Sequence, residues 1–141
     1  MRTLIALSIL CASPLLADPV VIGHPNLSTL DRVSLQRIYT GKVVELNGSR
    51  VFPVDLRPGN RLRQRFLELY LDQDEDKYIG YWTVRRYVGK GTPPRELDSP
   101  EAVIQYVSQT PGAIGYVDES ALKAGLNVLS TPPRINNDLE H

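Results

Sequence analysis

The residues best suited to chemistry are arginines that crowd around a single glycine-containing turn. Residues 55–66 read Asp-Leu-Arg-Pro-Gly-Asn-Arg-Leu-Arg-Gln-Arg-Phe, with an apolar run before them. They place a turn between a strand and a helix. The first free N–H groups of that helix point out of the turn, where the helix dipole adds partial positive charge. Such a place suits a phosphate, a sulfate or a carboxylate.

The residues predicted to bind a small oxyanion at this turn are Arg57, Gly59, Asn60 and Arg61. Arg57 is the preferred charged contact because it precedes the turn, and its guanidinium offers a planar fork that matches a tetrahedral anion. Arg61 shares a helix face with Arg65, and both side chains can equally be exposed to solvent. The alternative interpretation is a solvated basic helix face that offsets Glu68 and the acidic residues 72–76 through spaced ion pairs.

Motifs elsewhere in the chain carry weaker signals for chemistry. Residues 89–92 read Gly-Lys-Gly-Thr, but a phosphate-binding loop needs a glycine where Val84 stands and Ser or Thr directly after the lysine. His24 could form a triad with Ser28 and Asp31 by spacing alone, yet nothing in the sequence holds the three in geometry. We therefore expect no enzymatic activity, no metal site and no cofactor.

Length and composition indicate one ordinary globular domain. The chain has 141 residues, of which 42% are hydrophobic and 23% are charged; these values are typical of a folded domain rather than a disordered chain. Its 16 basic and 16 acidic side chains cancel to a net charge of zero. A general nucleic-acid-binding protein normally carries a basic excess, so the balance argues against nucleic acid as a partner.

The two ends of the chain are predicted to lie outside the fold. Residues 1–17 combine the basic Arg2 with a short apolar run, which is typical of a cleaved export signal. Residues 139–141 resemble the remnant of a histidine tag, which leaves 18–138 as the mature domain. The single cysteine, Cys11, leaves with the signal, so the mature protein has no disulfide. We expect a periplasmic protein with no membrane span after signal removal.

Apolar runs alternate with helical patterns along the mature chain. Strands are predicted at 20–22, 51–54, 113–117 and 126–129, and helices are predicted to start near Ser34, Asn60, Tyr78 and Ser99. Pro53 indicates either the end of its strand or a strand at the edge of the sheet. Residues 72–76 are predicted to form an acidic connector, and residues 89–94 a loop. The alternation predicts an α/β fold with a small, mostly parallel sheet flanked by helices, because strands covered on both faces read as continuous apolar runs.

Three segments, read together, resemble the phosphate-binding periplasmic proteins of ABC transporters. Residues 30–42 are similar to the family's L-S/T-x-x-x-L-x-x-I-F-x-G-K pattern, and residues 54–66 are similar to its phosphate loop. Residues 111–117, Pro-Gly-Ala-Ile-Gly-Tyr-Val, are close to a family hallmark. The order and spacing of the three segments match as well, and the resemblance covers residues 19 to about 129.

The resemblance implies one lobe of a type II periplasmic binding protein, whereas the usual members of that family close two lobes on an anion. It implies an exported phosphate- or oxyanion-binding component of transport or sensing, with a half-site at the turn. Where the family has Ser-Gly-Thr after the glycine, this chain has Asn60, Arg61 and Leu62, so the hydroxyls that would donate to phosphate are absent.

An interaction module is the alternative function. On this interpretation the lobe is a folded recognition surface for a sensor or transporter of the cell envelope and has no physiological small ligand. A lobe without its counterpart would also leave apolar surface uncovered, and exposed apolar surface often marks an interface. We therefore expect weak self-association or an envelope partner.

Overall fold

The computed structural model of the chain describes residues 18–133. The predicted export signal at 1–17 and the predicted tag remnant at 139–141 lie outside the described residues. In chain order the elements are β1 (Pro19–Gly23), α1 (Arg32–Tyr39), β2 (Glu45–Leu46), β3 (Ser49–Arg50), β4 (Phe52–Leu56), α2 (Arg61–Phe66) with a π-helical continuation (Leu67–Leu71), α3 (Glu75–Tyr87), β5 (Arg95–Leu97), α4 (Pro100–Gln109), β6 (Ala113–Asp118), a 3₁₀ turn (Glu119–Ala121) and β7 (Asn127–Ser130).

The main sheet has five strands in the order β5-β4-β6-β1-β7. Strand β4 pairs in parallel with both β5 and β6, whereas β1 is antiparallel to both of its neighbours, β6 and β7. Every strand except β1 therefore runs in one direction. The predicted α/β class with a small, mostly parallel sheet is confirmed, and β2 and β3 form a separate hairpin.

Strand β1 and most of β6 are apolar because helices cover both faces of the sheet. All five residues of β1 are buried, as are the first five residues of β6. Tyr116 stacks on Phe66 of α2, with ring centroids 4.0 Å apart. A Cβ added at its neighbour Gly115 would instead meet Val103 and Val107 of α4. Successive residues of a strand point to opposite faces, so α2 and α4 lie on opposite sides of the sheet.

The start of α1 differs from the prediction, because its N-cap is Asp31 and not Ser34. The Asp31 carboxylate accepts a hydrogen bond of 2.7 Å from the backbone N–H of Ser34. Ser34 thus lies in the first turn and is the residue whose amide is capped. The helix ends at the C-cap Thr40, and Gly41 directly beyond it has a φ of +71°.

The connector between the π-helical segment and α3 is shorter than the predicted acidic connector at 72–76, because α3 includes Glu75 and Asp76. Asp72 ends the preceding helical segment with a φ of +53°, and Asp74 caps α3 by accepting from the N–H of Lys77 at 2.8 Å. Helix α3 therefore begins at Glu75 rather than near Tyr78. Carboxylates in a first helical turn interact favourably with the helix dipole, so this acidic composition favoured a helix start as much as a connector.

Strand β5 was not predicted, because Arg95 and Glu96 give it no apolar run. It forms by parallel pairing with β4, which begins at Val54. Pro53 pairs only on its other side, with Ile114 of β6, so its predicted end position is confirmed. No helix among residues 18–133 is long and apolar enough to cross a membrane.

Candidate functional site

The predicted oxyanion turn lies at the carboxyl end of β4, where the chain enters α2. Gly59 takes a φ of +88°, and a Cβ built on it would meet no atom within 4 Å, so the turn is open to solvent. The N–H of Asn60 donates to the carbonyl of Arg57 at 3.2 Å and closes the turn. The structure thus brings the four predicted residues onto one exposed turn.

Asn60 is the N-cap of α2, in agreement with the predicted helix start, and its side chain occupies two of the N–H groups that could bind an anion. Its Oδ1 accepts hydrogen bonds from the N–H groups of Leu62 at 2.8 Å and Arg63 at 3.2 Å. Among residues 18–133, the N–H groups of Gly59 and Arg61 have no acceptor. An anion at this turn would therefore meet the amides of Gly59 and Arg61 rather than those of the following two residues.

The arginines around the turn differ in their charge partners. Arg57 pairs with Asp98, and this contact raises the pKa of Arg57; the two side chains are 61% and 74% exposed. Arg65 pairs with Asp18 at 2.6 Å. Arg61 is exposed and makes no ion pair within the described part of the chain. Arg57 can meet an anion only in competition with Asp98, while Arg61 faces no such competition.

Arg63 is the residue of the turn that sequence reasoning left unassigned. It is 3% exposed, and its NH1 donates to the carbonyl of Leu56 at 2.9 Å and to Glu96 at 3.1 Å. Its Nε donates to Glu75 of α3 at 3.0 Å. One guanidinium thereby ties the turn to β4, α3 and β5, which makes Arg63 structural rather than a ligand contact.

A buried carboxylate lies beside Arg63. Asp55 is 1% exposed. One of its oxygens accepts from the hydroxyl of Tyr78 at 2.6 Å and the other accepts from Tyr116 at 3.0 Å, while Arg63 NH1 is 4.0 Å away. Burial raises the pKa of Asp55 to about 6, against the opposing effect of the Tyr78 hydrogen bond and of Arg63. An aspartate at the end of an otherwise apolar strand was the sequence signal for this cluster.

Above this cluster, α3 and β5 flank an open cavity of about 570 Å³, which we call the α3–β5 groove. Asp55 and Arg63 lie at its base. Its walls combine apolar, aromatic and proline side chains, among them Ile79, Trp82, Tyr87, Pro93 and Pro94. The turn contributes Pro58, but none of the four predicted oxyanion ligands lines the groove.

The weaker motifs do not form catalytic arrangements. The imidazole of His24 bonds to Asn26 at 2.6 Å, and Asp31 is engaged as the cap of α1, so the spacing-based triad with Ser28 is not assembled. Residues 89–92 form an exposed loop in which Gly89 and Gly91 have positive φ. Residues 18–133 contain no group of three or more His, Cys, Asp or Glu side chains placed to hold a metal ion.

Comparison with known proteins places the fold. No family model matches the chain, and no curated protein matches it. A phosphate ABC transporter substrate-binding protein from Clostridium perfringens, solved with bound phosphate, matches 80% of this chain with a TM-score of 0.64 and 19% identity. An ABC-type phosphate transport receptor from Vibrio cholerae matches 80% with a TM-score of 0.62 and 13% identity. PstS from Borrelia burgdorferi matches 81% with a TM-score of 0.60 and 15% identity.

This chain shares the fold of one part of the substrate-binding proteins of phosphate ABC transporters. It spans 44% to 47% of the length of those three proteins. The predicted resemblance to part of such a receptor is therefore confirmed at the level of the fold. At these identities the likeness carries over neither the ligand nor the residues that hold it.

Proposed function

We propose that this protein is an exported, non-enzymatic solute-binding domain that takes a small oxyanion, phosphate or sulfate, at residues 57–61. The open turn before α2 is the observation that supports this proposal most directly. Gly59 and Arg61 present N–H groups that have no acceptor among residues 18–133, and two exposed guanidiniums flank them at the carboxyl end of β4. Ligands of open α/β sheets bind at this end of the strands. That a protein of the same fold was solved with bound phosphate supports this class of ligand.

The affinity of this half-site is expected to be weak for structural reasons. Asn60 already occupies two of the amides, and the anion must displace Asp98 from Arg57. An exposed ion pair is worth about 0–1 kcal/mol, so the displacement costs little and the new contact gains little. We therefore expect a dissociation constant for the anion in the millimolar range, which corresponds to about 4 kcal/mol of binding free energy. Added salt should weaken it further because the site is open.

Phosphate and sulfate titrations followed by amide NMR test the site. We expect shifts at Gly59 and Arg61 that saturate with the anion. Arg57→Ala should weaken binding by up to about fivefold, whereas Arg65→Ala, which removes a matched arginine that pairs with Asp18, should leave the affinity unchanged. Asp98→Asn frees Arg57 and should tighten binding by up to about fivefold. If neither anion moves these amides, or if both arginine variants act alike, the site is wrong.

Export is the second part of the proposal. The signal-like residues 1–17 predict a periplasmic protein that begins near Asp18. Intact-mass measurement on a periplasmic extract should give a chain that has lost about its first 17 residues. A full-length mass that stays in the cytosol would contradict it.

An interaction module of the cell envelope is the second candidate. The observation that favours it is that Asp98 and Asn60 satisfy much of the turn without a ligand. Light scattering at rising concentration tests the accompanying self-association, and crosslinking in cells tests for an envelope partner. A strict monomer with no crosslinked partner would count against this function, whereas saturable anion binding would favour the first.

A further inference from the structure

Strand β5 forms one edge of the main sheet. Within residues 18–133 it pairs only with β4, so its outer N–H and C=O groups have no strand partner. Such an edge is a template for an added strand, and proteins use it to bind extended peptides. The edge is three residues long, which limits it to a short segment.

Concave apolar surface flanks this edge on both sides of residues 93–94. The α3–β5 groove lies on one side, and a second cavity of about 280 Å³ lies on the other, with Val44, Phe52 and Tyr106 in its lining. Trp82, Pro93 and Pro94 line both. We call the two cavities together with β5 the β5 edge surface.

Large apolar side chains around this surface are exposed. Tyr87 at the end of α3 is 92% exposed, Val44 is 56% exposed and Ile79 is 42% exposed. A tyrosine with most of its ring in water gains little from folding, whereas tyrosines are enriched where proteins meet. A patch of this composition marks an interaction site.

The β5 edge surface also carries uncompensated positive charge. Arg50, Arg86 and Arg95 line its cavities, and among the described residues none of the three pairs with a carboxylate. The guanidinium of Arg50 lies 5.7 Å from the Phe52 ring centre, and that of Arg95 lies 5.5 Å from the ring centre of Tyr106. By contrast, the arginines at 57, 63 and 65 all have carboxylate partners.

The two carboxylates that line the same cavities offset only part of this charge, because Arg63 brings the lining to four arginines. Asp55 is held by two tyrosines beneath the groove, and Glu96 pairs with the buried Arg63. A second copy of this chain is a poor occupant, because two-fold pairing of the edge would bring like guanidiniums together. The surface is complementary to a partner that is negatively charged and carries apolar side chains.

We propose that the β5 edge surface binds an extended, acidic segment of a partner protein by strand addition to β5. Side chains alternate along β5: Glu96 reaches Arg63 beside the α3–β5 groove, while Arg95 lies over Tyr106 of α4. An added strand alternates in the same way. Its apolar side chains enter the groove beside Ile79 and Tyr87, and its carboxylates face Arg95 on the other side. The proposal does not depend on anion binding at residues 57–61.

A blocked peptide with alternating glutamate and apolar residues, acetyl-Glu-Leu-Glu-Phe-Glu-Leu-Glu-amide, is the probe. Amide NMR should show shifts at residues 95–97 and along α3 that saturate with the peptide. The same peptide with lysine in place of each glutamate should not bind. Tyr87→Ala should weaken binding about tenfold, and Arg95→Gln up to about fivefold. Both side chains are exposed, so the variants are expected to fold, and an unchanged amide spectrum of the free protein verifies this.

Lys123→Gln serves as the matched control, because it removes one exposed charge in the segment before β7, at the opposite edge of the sheet. Its affinity for the peptide should equal that of the unmodified protein. The proposal would be overturned if the lysine peptide bound as tightly as the glutamate peptide, or if Lys123→Gln lost as much affinity as Tyr87→Ala and Arg95→Gln. It would also be overturned if the peptide shifted only the amides of residues 57–61. Tighter binding of a single-stranded oligonucleotide at the amides of residues 95–97, or a protein dimer that Tyr87→Ala dissociates, would overturn it as well.

Discussion

Replacement of Asp55 by asparagine should change how stability depends on pH. The carboxyl has a pKa of about 6 in the folded protein against a reference value of 3.8, chiefly because burial disfavours its charge. The folded state therefore keeps this proton over a pH range in which the unfolded chain has lost it. By linkage, the contribution of Asp55 to stability is full below pH 3.8 and declines as the pH rises to about 6.

The size of the effect follows from the separation of the two pKa values. About two pKa units at 1.36 kcal/mol each amount to about 3 kcal/mol. Asparagine does not titrate, so any constant loss from its altered hydrogen bonds to Tyr78 and Tyr116 is the same at every pH. Relative to Asp55→Asn, the unmodified protein should lose about 2 kcal/mol of unfolding free energy between pH 4 and pH 7, because more than half of the unfolded chains have already lost this proton at pH 4.

Urea unfolding at a series of pH values, followed by the fluorescence of the single, buried Trp82, measures this difference. Tyr78→Phe provides a second variant. It removes a hydrogen bond that lowers the pKa of Asp55, so the decline in stability should extend to higher pH. Parallel pH profiles for the unmodified protein and Asp55→Asn would refute the reasoning, because they would mean that the carboxyl titrates alike in both states.

Other substitutions test the turn and the backbone. Asn60→Ala should cost about 1 kcal/mol of unfolding free energy in urea by removing the α2 cap, whereas Asn60→Asp should retain most of it. Arg63→Met should cost about 3–5 kcal/mol, because it leaves the buried carboxylate of Asp55 without a nearby cation and removes the partner of Glu75 and Glu96; a loss below 1 kcal/mol would show that the network is dispensable. Gly112→Ala should lower the melting temperature far more than Gly59→Ala. Both positions have positive φ, but only at Gly112 would the Cβ lie 2.2 Å from a backbone oxygen, that of Arg50.

Local chemistry made much of the architecture predictable. The apolar runs at 20–22 and 113–117 could be recognised as strands because buried strands need no polar neighbours to form. Ser99 followed by Pro100 starts α4 as predicted, since a hydroxyl cap and a fixed φ act within a few residues of chain. The Asn-Gly pair at 47–48, with both residues at positive φ, turns the small hairpin for the same reason.

Features that depend on distant partners could not be predicted in this way. Strand β5 has charged residues and becomes a strand because β4 offers it hydrogen bonds. The antiparallel direction of β1 follows from where β6 and β7 lie, which its own apolar residues do not encode. The N-cap of α1 is a local interaction, but the sequence offers two candidates, because both aspartate and serine are common N-cap residues. The structure has Asp31 as the cap and not Ser34.

The candidate site also combines local features, which the sequence predicts, with contacts between distant residues, which it does not. The sequence alone determined that an open, arginine-rich turn precedes α2 and that Asn60 caps it, because turn and cap are interactions between residues a few positions apart. Only the tertiary structure decided which arginine is available. Asp98 reaches Arg57 across 41 positions of sequence, and Glu96 reaches Arg63 across 33. Charges so far apart in the chain meet only after the sheet has formed, and burial then makes Arg63 structural while Arg61 stays in solvent.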